Sequence, residues 1–218
     1  MTNLLMINLG LKKNEHSFIF APGLRIKDET KETSIREKAI EMIVKEGFDG
    51  LSMQKLAKEA NVSPATIYLY FVNREDLLNR LYIEVEARFT ETTLLGFDPN
   101  MHFEEGLWLQ WNNRFNHITE FPFHFYFMEQ FKNSHLIHHK DIKVNAFKET
   151  MRKFCHNAME RNEIVSLPVE TFWSIAYGPF YSLVKFHLNQ KSFLGQSFSL
   201  TKPKMKQAFD LVLKALKK

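Results

Sequence analysis

The sequence contains one cysteine, Cys155, among 218 residues, so an internal disulfide is excluded. It also lacks internal repeats, low-complexity tracts and any apolar run near the roughly 20 residues of a membrane-spanning helix. The apolar stretch 4–11 is followed by Lys12 and Lys13, whereas a secretory signal would carry such charges in front of it. These absences favour a soluble protein of a reducing cytoplasm, with no membrane partner.

Positive charge is not concentrated where a nucleic-acid contact is expected. The net charge is +4, but residues 31–90 carry nine Lys and Arg against ten Asp and Glu. The basic surplus lies in residues 91–218, with sixteen against twelve. Overall charge is therefore no evidence for nucleic-acid binding, and that function has to be argued from the placement of individual residues.

The sequence is rich in hydrophobic residues, at 44% with 21 phenylalanines, and from residue 33 onward they follow a helical period. This pattern predicts an all-α protein of about nine helices. A first helix is expected from Thr33 or Ser34, as its cap, to Gly47. The other predicted helices span residues 52–60, 63–70, 73–95, 101–119, 122–133, 140–162, 168–190 and 202–217.

Three local features keep alternatives open. Residues 1–30 show no sustained period and are interpreted as a poorly ordered arm, part of which could be a mis-assigned start. Residues 121–127 place phenylalanines at every second position, as a half-buried strand would, but Pro122 suits the first position of a helix and helix is favoured. Pro179 predicts a kink or a break, either as a bend tolerated in the core or as a device that shapes a pocket.

The stretch from Leu51 to Phe71 has the layout of a helix-turn-helix. Asn61 stands in the turn, where a left-handed residue is wanted and asparagine tolerates that conformation. Ser63 is expected to cap the second helix, with Pro64 at its first position. Ile67 and Phe71 are expected to point inward, which leaves outward the residues Ala65, Thr66, Tyr68, Leu69 and Tyr70.

At these residues the sequence resembles the TetR (tetracycline-repressor-like) family. The matching motifs are Ser52, Leu56-Ala57, Ala60-Asn61-Val62-Ser63, Tyr68-Leu69-Tyr70-Phe71 and Arg74-Glu75-Asp76-Leu77. Asn61 departs from the family's usual glycine and Arg74 from its usual lysine. The resemblance covers residues 33–80 well. It implies a three-helix DNA-binding head over 31–78 and a larger C-terminal ligand-binding and dimerisation domain over 79–218.

The resemblance also implies two kinds of DNA contact. Residues expected to position phosphates are Ser52, Ser63, Tyr68, Tyr70 and Arg74, helped by the cations Lys55 and Lys58. Residues expected to read base edges are Gln54, Ala65, Thr66 and Leu69, because Gln can pair with adenine and apolar side chains can touch thymine methyl groups. The alternative is that Tyr68 and Tyr70 only pack the small head.

Aromatic residues in the C-terminal region form stripes on three predicted helices. They are interpreted either as a phenylalanine-rich core or, as the resemblance implies, as the lining of a cavity for a flat or lipophilic inducer of unreadable identity. The candidate ligand-binding residues are Trp108, Trp111, Phe115, Tyr126, Phe127, Phe131, Trp173, Tyr177 and Phe180.

The last two predicted helices each carry an apolar stripe, which has to be buried somewhere. The resemblance implies a four-helix seam between two subunits, and packing within one subunit is the alternative. The candidate interface residues are Phe172, Ile175, Leu183, Phe186, Met205, Phe209, Val212 and Leu216. A homodimer would suit a palindromic double-stranded operator, because two reading helices must reach half-sites about one helical turn apart.

Three function classes follow from these patterns. A DNA-binding transcriptional regulator, acting as a ligand-released repressor, is favoured over an all-helical enzyme and over a helical interaction module. No catalytic residues and no cofactor are expected, because no convergent titratable groups can be named. His135, His138 and His139 are not completed to a metal site by a carboxylate or cysteine, and Cys155 is expected to be a small buried residue.

Overall fold

The computed structural model describes residues 29–132, 134 and 146–218 of the chain. The described secondary structure is helical apart from two isolated bridges, so the predicted all-α fold is confirmed. None of these helices is both long enough and apolar enough to cross a membrane. The helices are α1 (Glu29–Glu46), α2 (Met53–Glu59), α3 (Pro64–Tyr70), α4 (Arg74–Thr93), α5 (Phe103–Glu120), α6 (Pro122–Lys132), α7 (Ala146–Glu160), α8 (Val169–Leu188) and α9 (Lys202–Leu216).

Several predicted boundaries change. Helix α1 begins at Glu29, so the prediction of a cap at Thr33 or Ser34 is wrong; the Thr33 hydroxyl donates to the carbonyl of Glu29 at 2.9 Å. Residues 1–28 of the predicted arm and residues 140–145 of the predicted seventh helix lie outside the described residues. The strand alternative at residues 121–127 is wrong, and α8 continues through Pro179 without a break.

The N-terminal core is built from the apolar faces of α1 to α4. Leu56, Ile67 and Phe71 are completely or almost completely buried there, and burying each such side chain contributes roughly 1.5–3 kcal/mol. This core, which we call the head core, extends along α4 as far as Val85. Helix α4 therefore leaves the head as one continuous rod that also enters the rest of the molecule.

Helix α6 adds two phenylalanines to the head core. Phe127 and Phe131 are buried there, with ring centroids 6.5 and 5.8 Å from that of Phe48. The two rings thus pack in the head core, and their role in lining a ligand cavity stays a prediction. Phe125, on the same helix, belongs instead to the C-terminal core.

The C-terminal core lies among α5, α7, α8 and α9. Trp111 is fully buried at its centre, and its indole N–H donates to the carbonyl of Ala176 at 2.9 Å. Phe180 and Phe209 pack on the same indole, with centroids 5.3 and 5.4 Å away. Trp111, Phe180 and Phe209 thus form a closely packed aromatic centre of this core.

Gly106 of α5 should be needed for the packing of α5 against α7. A Cβ atom there would lie 2.5 Å from a ring carbon of Phe154, which is itself fully buried. We expect Gly106→Ala to lower the free energy of unfolding by about 1–3 kcal/mol, because the ring cannot move without displacing its neighbours. Urea denaturation followed by circular dichroism measures the change.

Gly178→Ala is the matched control for this substitution. Gly178 is also helical, but an added Cβ would have no neighbour within 4 Å. Its free energy of unfolding should stay unchanged or rise slightly, since alanine favours the helix. Equal losses in the two variants would show that the α5–α7 contact is not the tight one.

Candidate DNA-binding head and aromatic core

The helix-turn-helix is fixed by local hydrogen bonds that the sequence predicted. The hydroxyl of Ser52 accepts from the backbone N–H of Lys55 at 3.1 Å, and that of Ser63 accepts from Thr66 at 3.1 Å. Asn61 has the left-handed φ of 53° that the turn requires. The two caps and the turn set where each helix begins, and therefore which residues α3 presents outward.

The outward face of α3 carries polar and aromatic groups. Tyr68 is 54% exposed and Leu69 is 43% exposed, unusually large values for such side chains. Ala65 is exposed beside them, and the hydroxyl of Thr66 lies 2.9 Å from that of Ser63. Gln54 is exposed on α2. The structure thus leaves the predicted base-reading residues accessible, except that Thr66 is half-buried.

Tyr70 differs from the prediction. It is only 5% exposed and packs in the head core, with its ring centroid 6.4 Å from that of Phe71. Residues three apart share a helix face, so Tyr70 lies on the same side of α3 as Ile67. The predicted outward orientation of Tyr70 is wrong, and for this residue the packing alternative holds.

Two of the cations predicted to contact phosphate are engaged within the head. Arg74 donates from Nε to the carbonyl of Leu51 at 3.0 Å, and its guanidinium also bonds the carbonyl of Phe48. Arg74 therefore ties the start of α4 to the segment before α2, and its contact with phosphate stays a prediction. Lys55 is paired with Glu46, whereas Lys58 is exposed with no ion pair to the described residues.

Comparison with known proteins bears on this head directly. The family described as "Bacterial regulatory proteins, tetR family" matches residues 35–81, the span of the head core up to Leu81 of α4. Residues 35–81 therefore form a head of the TetR family. A TetR-family regulator of Haemophilus influenzae has a solved structure that agrees with a TM-score of 0.69 at 26% identity, covering 87% of this chain and 98% of that one.

Other relatives agree over different extents. A TetR-family structure from Marinobacter aquaeolei has a TM-score of 0.70 at 24% identity, covering 89% of this chain and 99% of that one, which supports the fold. An HTH-type transcriptional regulator of Haemophilus influenzae is 35% identical over 126 residues, 58% of this chain and 66% of that protein. The fatty acid metabolism regulator protein of Bacillus subtilis is 42% identical over 57 residues, 26% of this chain and 29% of its own length. The chain thus covers less than two thirds of both curated relatives.

The predicted ligand-binding residues do not form one set. Trp173 and Tyr177 lie together, with centroids 4.3 Å apart, and Trp173 is 36% exposed. Trp108 contacts Phe209 of α9, and Phe115 contacts His187. Tyr126 donates from its hydroxyl to the side-chain oxygen of Asn189 at 3.1 Å. The remaining four are the core residues Trp111 and Phe180 and the head-core residues Phe127 and Phe131.

Helix α5 carries a buried polar face whose residues were not among the predicted site residues. Gln110, Arg114 and His117 are all buried and follow one another at i, i+4 and i+7. Gln110 donates to the carbonyl of Thr93 at 2.7 Å, and its side-chain oxygen is left without a partner among the described residues. The available signal was spacing, since Arg114 stands in register with Leu107, Trp111 and Ile118 on the core face.

The predicted dimer residues also divide into two groups. Five are buried within the single chain against α5 and α8, so their assignment to an exposed seam is wrong: Phe172, Met205, Phe209, Val212 and Leu216. These residues are therefore buried by packing within one subunit, which was the alternative to a dimer seam. Ile175, Leu183 and Phe186 of α8 stay half-buried, and Leu211, which had not been singled out, is 64% exposed on α9.

Metal binding has no support in the part of the chain that the structure describes. No group of three or more potential ligands is found there, while His135, His138 and His139 lie outside the described residues. Cys155 is half-buried, and burial raises the pKa of its thiol to about 12, so it carries almost no thiolate at neutral pH.

Two histidines lie where α5 and α6 meet α1 and α4. His117 is held by the hydroxyl of Thr92 at 2.8 Å, and its ring lies 5.3 Å from that of Phe121. Burial lowers the pKa of His117 to about 4, with the neighbouring charges of His124, Arg88 and Arg114 acting in the same direction. Burial also lowers the pKa of His124, against the attraction of Glu37.

The buried His117 predicts a loss of stability in mild acid. The unfolded chain takes up a proton on this residue below its ordinary pKa of 6.5, whereas the folded chain does so only near pH 4. We therefore expect the free energy of unfolding to fall as the pH is lowered from about 6.5 to about 4. Urea titrations at several pH values measure this slope.

Substitution identifies the histidine responsible. His117→Gln should flatten the slope, while His156→Gln, at an exposed site on α7, should leave it unchanged. An unaltered slope in His117→Gln would assign the effect to other groups.

Proposed function

We propose that this chain is a sequence-specific DNA-binding transcriptional repressor that works as a homodimer and is released by a small lipophilic or aromatic ligand. The observation that carries the proposal is the outward face of α3, where Tyr68 and Leu69 stand exposed on a helix anchored by buried Ile67 and Phe71. Large side chains that point away from the core on a recognition helix suit a major groove, where they can contact phosphates and base edges.

Release by a ligand requires a physical connection between the C-terminal core and the head. Helix α6 supplies one, because Phe127 and Phe131 are in the head core and Phe125 is in the C-terminal core. The side-chain amide of Gln130 also donates to the carbonyl of Val44 on α1 at 3.2 Å. A ligand that favours a different packing of α6 would reorient the head, provided that it binds the DNA-incompetent state more tightly.

A gel-shift experiment tests DNA binding. The full chain is titrated against DNA flanking its own gene, at two salt concentrations, with the same sequence and an unrelated sequence as competitors. The proposal expects a shift that weakens with salt and is competed only by the same sequence. A shift competed equally by both DNAs, or no shift at low salt, would refute sequence-specific binding.

Two substitutions separate positioning from reading. Tyr68→Ala should weaken binding to all sequences by a similar factor, since a phosphate contact carries no sequence information. Gln54→Ala should change which sequence is preferred, because a bidentate glutamine–adenine pair discriminates by about 1–3 kcal/mol. Selection from a randomised DNA pool measures both effects, with Lys214→Ala, exposed on α9, as the control. An unchanged preference in Gln54→Ala would remove its reading role.

The homodimer is proposed to form through the parts of α8 and α9 that the subunit leaves uncovered. Leu211 is exposed on α9, and Ile175 and Leu183 of α8 remain half-buried. We expect Leu211→Asp to convert the dimer to a monomer, because a charge would have to be desolvated in an apolar seam. Light scattering after gel filtration measures the mass.

Leu194→Asp is the matched control for the dimer test. Leu194 is 80% exposed but lies between α8 and α9, away from both helix faces. It should leave the mass unchanged. A dimer that persists in Leu211→Asp would place the seam elsewhere.

A further inference from the structure

The C-terminal core holds a positively charged side chain that makes no hydrogen bond to the described residues. Arg114 of α5 is 0% exposed. Its Nε, Nη1 and Nη2 atoms have no hydrogen-bond partner in the described part of the chain. A buried polar group normally has a partner, and a buried charge left without one is costly. Arg114 is therefore expected to have an acceptor that the described residues do not supply.

Aromatic rings surround the guanidinium. Its Cζ atom lies 5.4, 5.0, 5.9 and 4.6 Å from the ring centroids of Phe89, Phe147, Trp173 and Tyr177. These rings come from α4, α7 and α8, so the charge sits where three helices face α5. Ring faces attract a cation, but they are weak acceptors for the five N–H donors of arginine. The rings hold the charge in place without satisfying its hydrogen bonds.

A second unsatisfied donor lies beside the first. The hydroxyl of Tyr177 is buried and has no hydrogen-bond partner among the described residues. Burial raises the pKa of Tyr177, opposed by the charge of Arg114 and by a weaker interaction of its guanidinium with the phenol oxygen, so the phenol stays protonated and able to donate. A guanidinium and a phenol thus lie together in an aromatic enclosure, and both lack an acceptor.

We propose that Arg114 and Tyr177 bind the carboxylate of an amphiphilic ligand whose apolar part lies among the aromatic rings of the C-terminal core. This inference rests on the proposed role of that core as the effector site and names the chemical class of the effector. A carboxylate can accept two parallel N–H bonds from the planar guanidinium, and a further bond from the phenol.

Charge balance favours a carboxylate over a phosphate. One guanidinium neutralises one negative charge, whereas a phosphate monoester carries between one and two at neutral pH. His117 lies one turn further along α5, but its lowered pKa, about 4, leaves it neutral there. Arg88 is only half-buried and lies over the ring of Phe121 at 5.0 Å, which is not one of the four rings around Arg114. A second full charge would therefore be buried without compensation.

The test compares ligands that differ only in the head group. Decanoate, decanol and decyl phosphate are titrated into the full wild-type chain, and so are 3-phenylpropionate and 3-phenylpropanol, so that the result does not depend on one tail. Calorimetry and the fluorescence of the three tryptophans report binding. At least one acid should bind about 10- to 100-fold tighter than its alcohol and tighter than the phosphate, since hydrogen bonds to charged groups contribute this much.

The wild-type measurements alone can overturn the inference. No binding of either acid, equal affinity for acid and alcohol, or tighter binding of decyl phosphate would each do so. DNA release is measured separately by gel shift. A carboxylate preference without DNA release would leave the anion site standing and refute the effector role, whereas loss of DNA binding altogether would refute the repressor proposal.

Substitutions then assign the site. Arg114→Met keeps an unbranched side chain of similar length among the rings, and should lower acid affinity to that of the alcohol while alcohol affinity is kept. Arg88→Met, which removes a half-buried arginine stacked on a ring elsewhere, should retain the preference for acid. Tyr177→Phe should reduce that preference several-fold. Retention of the full acid preference in Arg114→Met would overturn the assignment, and alcohol binding shows that the variant's core is folded.

Discussion

The head and the C-terminal core are held together by the insertion of two α6 phenylalanines into the head. Phe127 and Phe131 are buried against Phe48, and Tyr82 stacks on Phe131 with centroids 4.4 Å apart. The same helix places Phe125 in the other core. Because protein interiors are close-packed, a change in how α6 sits in one core cannot leave the other unaffected. The orientation of the DNA-binding head thus depends on the packing of a helix that belongs to both.

The C-terminal core combines dense aromatic packing with polar groups that reduce its stability. Trp111, Phe180 and Phe209 form an edge-packed centre whose burial favours folding. Arg114 and Tyr177 lie in the same core without hydrogen-bond partners among the described residues, which opposes folding. A stable apolar core can tolerate a few polar groups without partners. Such destabilising groups are expected mainly at functional sites.

Local features of the head were predictable from sequence because their causes are local. A serine cap, a proline at the first helical position and an asparagine in a left-handed turn each act within a few residues of themselves, and the structure has all three at the predicted places. The orientation of Tyr70 was predicted wrongly because only Ile67 and Phe71 were assigned to the inward face of α3, which also includes Tyr70. The bonds of Arg74 to the carbonyls of Leu51 and Phe48 were not predicted, because these partners are more than twenty residues away.

Sequence by itself determined the all-helical class, the helix-turn-helix and the family, because helical period, capping and turn chemistry are short-range properties. The sequence also required the apolar stripe of α9 to be buried, but such a stripe does not specify the surface that buries it. Only the tertiary structure shows that α9 packs on α5 and α8 of the same subunit. In the same way, the spacing put Arg114 on the core face of α5. Its isolation among four rings followed from three other helices, whose arrangement depends on long-range packing that no local pattern encodes.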